Sequence, residues 1–352
     1  MKTSTQLPRS AITRRRAIGG VGVGLVAAPA LLLSRKATAA DNLVLVTWGG
    51  SFADVVKRII AEPFTKETGI GVTLASGPDA TKAKAQVTSG RPEWDIFDGS
   101  GGEMHNAARE GLFEELDFTI VNTAGLISSA TPYSMPFLLY AGGLAYDPKR
   151  TPRPPKTFAE FFDAQTFKGR RGLRTRVSET LEMALLADGV EPEKLYPLDV
   201  ERAFSALTRI KPITRWIDQT PQTISLLTSN EISYVYTYNG RVAAAKKEGL
   251  SVEFSIDQNL LLTQYYSVMK GTRKRAQAMR YIAFACRPDI QANLSDAYYS
   301  IPVRLSAMSK VSKDVRAALP FPFNPKNVFM RESFWSENHV KLDRRFKEWL
   351  AS

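Results

Sequence analysis

Three side chains in this 352-residue sequence belong to the types that most often do covalent or soft-metal chemistry: His105, His339 and Cys286. A zinc or iron site needs several Cys, His or paired acidic ligands at short spacings, and neither histidine has such neighbours. A serine nucleophile would have to use one of these two histidines as its base, and no G-x-S-x-G elbow occurs. Cys286 lies in the helical apolar pattern of RYIAFACRPD, the setting of a buried structural thiol. As the single cysteine it also excludes an internal disulfide. The sequence therefore offers no catalytic residue, no metal site and no cofactor motif. That favours a binding protein over its rival, an exported enzyme.

The ends of the chain bound where that binding takes place. Residues 1–39 contain seven basic residues and no acid, then an apolar run, Ala17–Leu33, that holds four Gly and one Pro. A membrane-spanning helix needs roughly 20 predominantly apolar residues. This shorter run, followed by Ala37-Thr38-Ala39, has the layout of a secretory signal cut before Ala40, rather than an uncut anchor. The segment Thr13-Arg14-Arg15-Arg16-Ala17-Ile18 resembles the twin-arginine export signal, which implies a periplasmic protein exported already folded. Without residues 1–39 the formal charge of +12 falls to +5. The remaining basic residues are scattered, as in Arg170-Arg171 and Arg344-Arg345, and nucleic acid is not expected as a partner.

The elements that must position a binding site alternate. NLVLVTW reads as a buried strand, and GGSFADVVKRIIAEPFTKETGI as an amphipathic helix that Pro63 should kink. GVTLAS and WDIFDGS read as strands, the second turning directly into a helix. This β/α alternation predicts an α/β fold with helices on both faces of a sheet. YSMPFLLYAGGLAYDPK, before a proline cluster, and the later LLTQYYSVMKG read as two segments crossing between lobes. Between them lie the helices SETLEMALLADG, QTISLLTSNE and RVAAAKKEG and the strands ITRWI and ISYVYT. A last helix, ENHVKLDRRFKEWLAS, carries Val340, Phe346 and Leu350 as an apolar stripe.

In this order, AEPFTKETGIGVTL, WDIFDGSGGEM, YSMPF, FKGRRGLRTRVSETLEMAL, YTYNGR and IAFACRPDIQANL…IPVRLSAM resemble the periplasmic solute-binding proteins that feed ABC importers. The likeness is greatest to the spermidine/putrescine-binding group, and it covers nearly the whole chain after residue 39. It implies a two-lobed periplasmic binding protein-like fold with a ligand cleft between the lobes. Residues 40–145 plus about 268–305 would form lobe 1, and 146–267 plus about 306–352 lobe 2. The implied partners are a small-molecule solute and an ABC permease and ATPase complex at the inner membrane, with the binding protein a monomer.

The chain departs from the polyamine pattern where ligand charge is read. The position of a family aspartate at the helix opening is Arg176, and the glutamate three residues on is kept as Glu179. A second family acid, on the late crossing strand, falls near Tyr265. The tryptophan before Asn-Gly is Tyr238. A guanidinium in a closed cleft repels a diammonium ligand but clamps a carboxylate through two parallel hydrogen bonds. A helix beginning near Ser178 would add free N–H groups. Glu179 remains for an amine, and Trp48, Tyr238 and Tyr265 for an apolar middle. Ser100, at a strand-to-helix turn, completes the expected ligand set. The implied ligand is a small zwitterion or carboxylate of the γ-aminobutyrate kind. The alternative is a polyamine binder whose acids come from Asp98 or Glu103. Tyr265-Tyr266 is also similar to the paired tyrosines of ferric-ion binders, which need further acids or an anion.

Overall fold

Residues 42–352 are described in the computed structural model, so the expected export signal lies outside the described residues. Ten strands form one mixed sheet. They are β1 (Leu43–Thr47), β2 (Val72–Ser76), β3 (Ile96–Ser100), β4 (Met135–Tyr146), β5 (Arg171–Arg174), β6 (Thr214–Ile217), β7 (Tyr234–Tyr238), β8 (Glu253–Phe254), β9 (Leu260–Val268) and β10 (Val328–Phe329). The order is β2-β1-β3-β9-β4-β7-β5-β6, with β8 added on β4 and β10 on β9. β1 is parallel to β2 and β3, and β5 is parallel to β6 and β7. Such parallel sets need crossover helices, which is what the β/α alternation of the sequence supplies.

β4 and β9 join the two parallel sets. Met135–Gly142 pairs antiparallel with β9, and Gly142–Tyr146 pairs antiparallel with β7. β9 in turn pairs with β3 from Gln264 to Val268. The two segments expected to cross are therefore long strands shared by both halves. One apolar cluster gathers Leu43, Phe64, Phe137, Tyr266, Ile282 and Leu294 on one side. Another gathers Phe161, Leu181, Phe204, Trp335 and Phe346 on the other. Val311, Val315 and Leu319 pack with Ala292 and Ile301, on the side of the first cluster's helices.

Local departures from expectation have identifiable causes. The first helical stretch is continuous, but Lys57–Ala61 is wound as a π turn between Ser51–Val56 and Glu62–Thr68. Pro63, at the start of the last piece, has no N–H to give Ile59, and the widened turn just before it accommodates the missing bond. In the helix Glu332–Ala351 the buried face is Trp335, Leu342 and Phe346, whereas Val340 is 84% exposed. Val340 lies outside the buried stripe because 335, 342 and 346 share a face at 3.6 residues per turn, and 340 does not. Arg171 is fully buried and has no carboxylate partner among the described residues. Its guanidinium donates to the carbonyls of Phe161, Asp163, Phe167 and Gly169, and it lies over the Tyr234 ring at 5.5 Å. It ties down the loop that leads into β5.

Candidate functional site: a cleft with two electrostatic ends

The carboxyl ends of β1, β3 and β7, the opening of the helix Val177–Ala187 and the start of the C-terminal helix converge on one cleft. It has two chambers, of about 550 and 460 Å³, that share Trp48, Ser100, Tyr140 and Arg176 as walls. Trp48 follows β1 and stands 41% exposed. Ser100 ends β3 and is the N-cap of the helix Gly101–Arg109, yet its side chain makes no capping bond. Its hydroxyl lies instead within hydrogen-bonding reach of the Tyr140 hydroxyl at the cleft wall.

The sequence spacing of Arg176 and Glu179 becomes a contact. Arg176 Nη1 lies 3.4 Å from Glu179 Oε1 and donates to the Tyr238 hydroxyl at 3.2 Å. Tyr238 donates to Glu179 Oε1 at 3.1 Å, and Tyr236 donates to Oε2 at 2.8 Å. Tyr238 and then Glu179 raise the Arg176 pKa further, so the guanidinium stays charged. Gly142 makes this arrangement possible, because a Cβ there would collide with the Tyr236 hydroxyl.

The helix expected from Ser178 opens differently. Ser178 and Glu179 are non-helical within Val177–Ala187, and Glu179 has φ 73°. Left-handed backbone at a non-Gly residue costs of order 1–3 kcal/mol and persists only where its surroundings impose it. The N–H expected to be free for an anion is used: Glu179 N donates to Glu182 Oε2 at 2.8 Å.

Tyr265 does not join the others. It is 5% exposed and lines a separate cavity with Met104, His105 and Tyr133. Its neighbours in β9, Leu262 and Gln264, line the cleft instead. Strand side chains alternate faces, so a one-residue displacement in the comparison puts the residue on the wrong side. Asp98 is fully buried beneath the cleft, accepting from Thr47 Oγ1 and, at 2.6 Å, from Gln264 Nε2. Burial pushes its carboxyl up to about 7. It orients Gln264 rather than meeting a ligand. Glu103 does line the cleft, and burial raises its pKa.

Residues not singled out from sequence complete the walls. Tyr140 of β4 meets Tyr238 edge-on, centroids 5.5 Å apart. Arg174 reaches the Tyr238 hydroxyl at 3.4 Å, and its buried Nε has no partner among the described residues. Arg241 lies in the same chamber. Arg174 and Arg176 are two apart, and that alternation in RTR was the available signal. The first chamber therefore carries Arg174, Arg176 and Arg241 against Glu248. The second carries Glu103, Glu110, Glu179, Glu332 and Glu337 against Arg176, with His339, whose pKa burial lowers. One end of the cleft favours an anion and the other a cation. Aromatic rings stand at the join.

A two-lobed α/β fold with its cleft between the ends of two parallel strand sets defines a solute-binding protein. The family model for bacterial extracellular solute-binding proteins matches residues 60–319, and the chain belongs to that family. It is 32% identical over 321 residues to the gamma-aminobutyric acid-binding protein of Pseudomonas aeruginosa, covering 88% of this chain and 91% of that one. It is 22% identical over 312 residues to the spermidine/putrescine-binding periplasmic protein of Escherichia coli, covering 83% and 86%. Among solved structures, the Atu4243 GABA receptor superposes with a TM-score of 0.82 at 32% identity, over 88% of this chain and 98% of that one. An ABC transporter substrate-binding protein from Bradyrhizobium japonicum gives 0.82 at 34%, over 88% and 99%.

Proposed function

We propose that this protein captures γ-aminobutyrate, or an ω-amino acid of similar length, and delivers it to an ABC permease and ATPase complex at the inner membrane. The carrying observation is the division of the cleft into a guanidinium end and a carboxylate end with Arg176 and Glu179 at the junction. The ligand carboxylate faces Arg176 and Arg174. Its ammonium faces Glu179, and its methylenes lie between Trp48, Tyr140 and Tyr238. Two similar proteins are named for γ-aminobutyrate, which supports the reading.

The same reading takes the protein as periplasmic, exported through the twin-arginine route, and monomeric, with lobes that close over the solute by a hinge at β4 and β9. A polyamine reading draws on the acid-rich second chamber and the polyamine-binding relatives. Calorimetric titration of the protein after removal of residues 1–39 with γ-aminobutyrate, putrescine and succinate separates them. Binding of γ-aminobutyrate alone is expected. Tight putrescine binding without γ-aminobutyrate binding refutes the zwitterion reading.

A further inference from the structure

Behind the ligand turn lies a second carboxylate that no comparison assigns. Glu182 is fully buried and accepts three hydrogen bonds: Glu179 N at 2.8 Å, the Tyr196 hydroxyl at 2.7 Å and Trp335 Nε1 at 2.7 Å. These donors come from the ligand turn, from the segment after Pro192–Lys194 and from the C-terminal helix. The Tyr196 hydroxyl itself accepts Arg331 N–H at 3.1 Å, which leaves its own proton for Glu182. Every neighbour in this network is thus a donor. An ionised carboxylate satisfies all three, and a protonated one meets donors with its own proton.

We propose that Glu182 is the positioning residue of the ligand site, its negative charge holding Glu179 in the left-handed turn and joining that turn to the C-terminal helix. This rests on the reading of the cleft as the solute site. The join matters because the start of the C-terminal helix also touches the opposite lobe. A Cβ on Gly102 would stand 2.7 Å from Ser336 N, and His105 Nε2 lies 3.5 Å from Glu332 Oε2. Glu182 therefore connects the residue that would take the ligand amine to the helix against which that lobe rests.

Among the described residues no cation touches the Glu182 carboxylate to hold its charge. The groups around it are the Glu179 carboxylate, Tyr236 of β7, Tyr196 with the Arg331 guanidinium 4.9 Å from its ring centroid, and Trp335 with the His339 ring 6.1 Å away. Burial raises the Glu182 pKa to about 7, against the pull of its donors. Its charge consequently changes around neutral pH, and loss of the charge loosens the turn.

Two measurements test this. The first needs no ligand. The Trp335 indole N–H resonance, assigned through Trp335→Phe, should titrate with a midpoint near neutrality. It should lose that titration in Glu182→Gln and titrate at higher pH in Tyr196→Phe, which keeps the fold but removes one donor from the ionised form. A wild-type resonance that is flat from pH 5.5 to 8.5 and coincides with that of Glu182→Gln overturns the assignment of a charged anchor.

The second is calorimetry with γ-aminobutyrate between pH 8 and 6. Affinity should fall about tenfold toward pH 6, the change in ionised fraction for a group titrating near 7. Glu182→Gln, whose amide meets the donors as the protonated acid does, should bind weakly at pH 8 and lose that dependence. A pH profile in Glu182→Gln equal to the wild type's overturns the coupling to the ligand. Absence of γ-aminobutyrate binding in the wild type refutes the zwitterion reading instead, and the indole titration still decides the anchor.

Discussion

Arg176→Ala is the substitution that most directly separates the two ligand classes. In the free protein the guanidinium sits 3.4 Å from Glu179 Oε1 and 3.2 Å from the Tyr238 hydroxyl, with 44% of its side chain accessible to the cleft. Truncating one partner of a buried charge pair costs about 2–5 kcal/mol. Part of that is offset, because the free protein also loses the Arg176–Glu179 contact, so the lower part of the range applies: about 2–3 kcal/mol, or roughly 30- to 150-fold weaker γ-aminobutyrate binding. A diamine should respond in the opposite sense. A guanidinium about 6 Å from an ammonium at an effective dielectric near 20 repels it by about 3 kcal/mol, and removing it should strengthen putrescine binding on the order of 100-fold. The preference between the two probes should therefore move by more than three orders of magnitude. Titration calorimetry with both ligands, alongside circular dichroism to confirm folding, measures it. A γ-aminobutyrate affinity within threefold of wild type would refute the carboxylate clamp.

Further expectations follow from groups away from the ligand. Arg171→Met should leave several buried carbonyls without donors at about 1–3 kcal/mol each, giving a melting temperature many degrees lower or no soluble protein, as scanning calorimetry would show. Asp98 and Glu182 both have folded pKa values raised to about 7, so the native state binds more protons than the unfolded chain between the ordinary carboxylate range and 7. Their contribution to stability is greatest at the acid side of that window and is lost as pH rises through it, by up to about 3 kcal/mol for Glu182. Asp98→Asn should flatten the pH dependence of the melting temperature between 5 and 8, and an unchanged slope would contradict the assignment. Changing Arg14 and Arg15 together to Lys should leave precursor in the cytoplasm, visible by fractionation, whereas normal periplasmic accumulation would remove the twin-arginine reading.

The frame of the fold was legible because burial on both faces writes itself as apolar runs. LVLVT, MPFLLYAGGLAY and LLLTQYYSV became β1, β4 and β9, and the two crossing segments read from sequence are the strands that link the two strand sets. What a run of buried residues does not encode is which face is which. Tyr265 and Gln264 are adjacent and both buried, yet only Gln264 reaches the cleft, because the register of β9 against β3 decides the face. The left-handed turn at Glu179 was equally hidden. SETLEMAL has strong helical character, and nothing local demands a break. The break comes from Glu182, Tyr196 and Trp335, which are brought together only by tertiary packing. Arg176 and Glu179 do meet in the cleft, as their spacing in RTRVSE suggested, because a contact three residues apart in sequence does not depend on strand register.

The two ends of the cleft are tied together by one face of β7. Tyr234, Tyr236 and Tyr238 are two apart and share that face. Tyr234 lies under the buried Arg171, while Tyr236 and Tyr238 donate to the two oxygens of Glu179. Phenol donors stabilise a carboxylate without bringing a second full charge, so Glu179 is kept ready for an ammonium while Arg176 retains guanidinium N–H groups for an anion. Were Glu179 instead locked in a bidentate pair with Arg176, each would consume the other's binding capacity and the cleft would be neutral at its junction. The nearest approach of the two is 3.4 Å, long for a charge-assisted hydrogen bond. A zwitterion can replace that contact at both ends at once, its carboxylate taking Arg176 and its ammonium taking Glu179. A diamine or a dicarboxylate satisfies one end and meets like charge at the other. Selectivity for a molecule carrying both charges is thus a property of how weakly the protein's own pair is joined, which the tyrosines of β7 set.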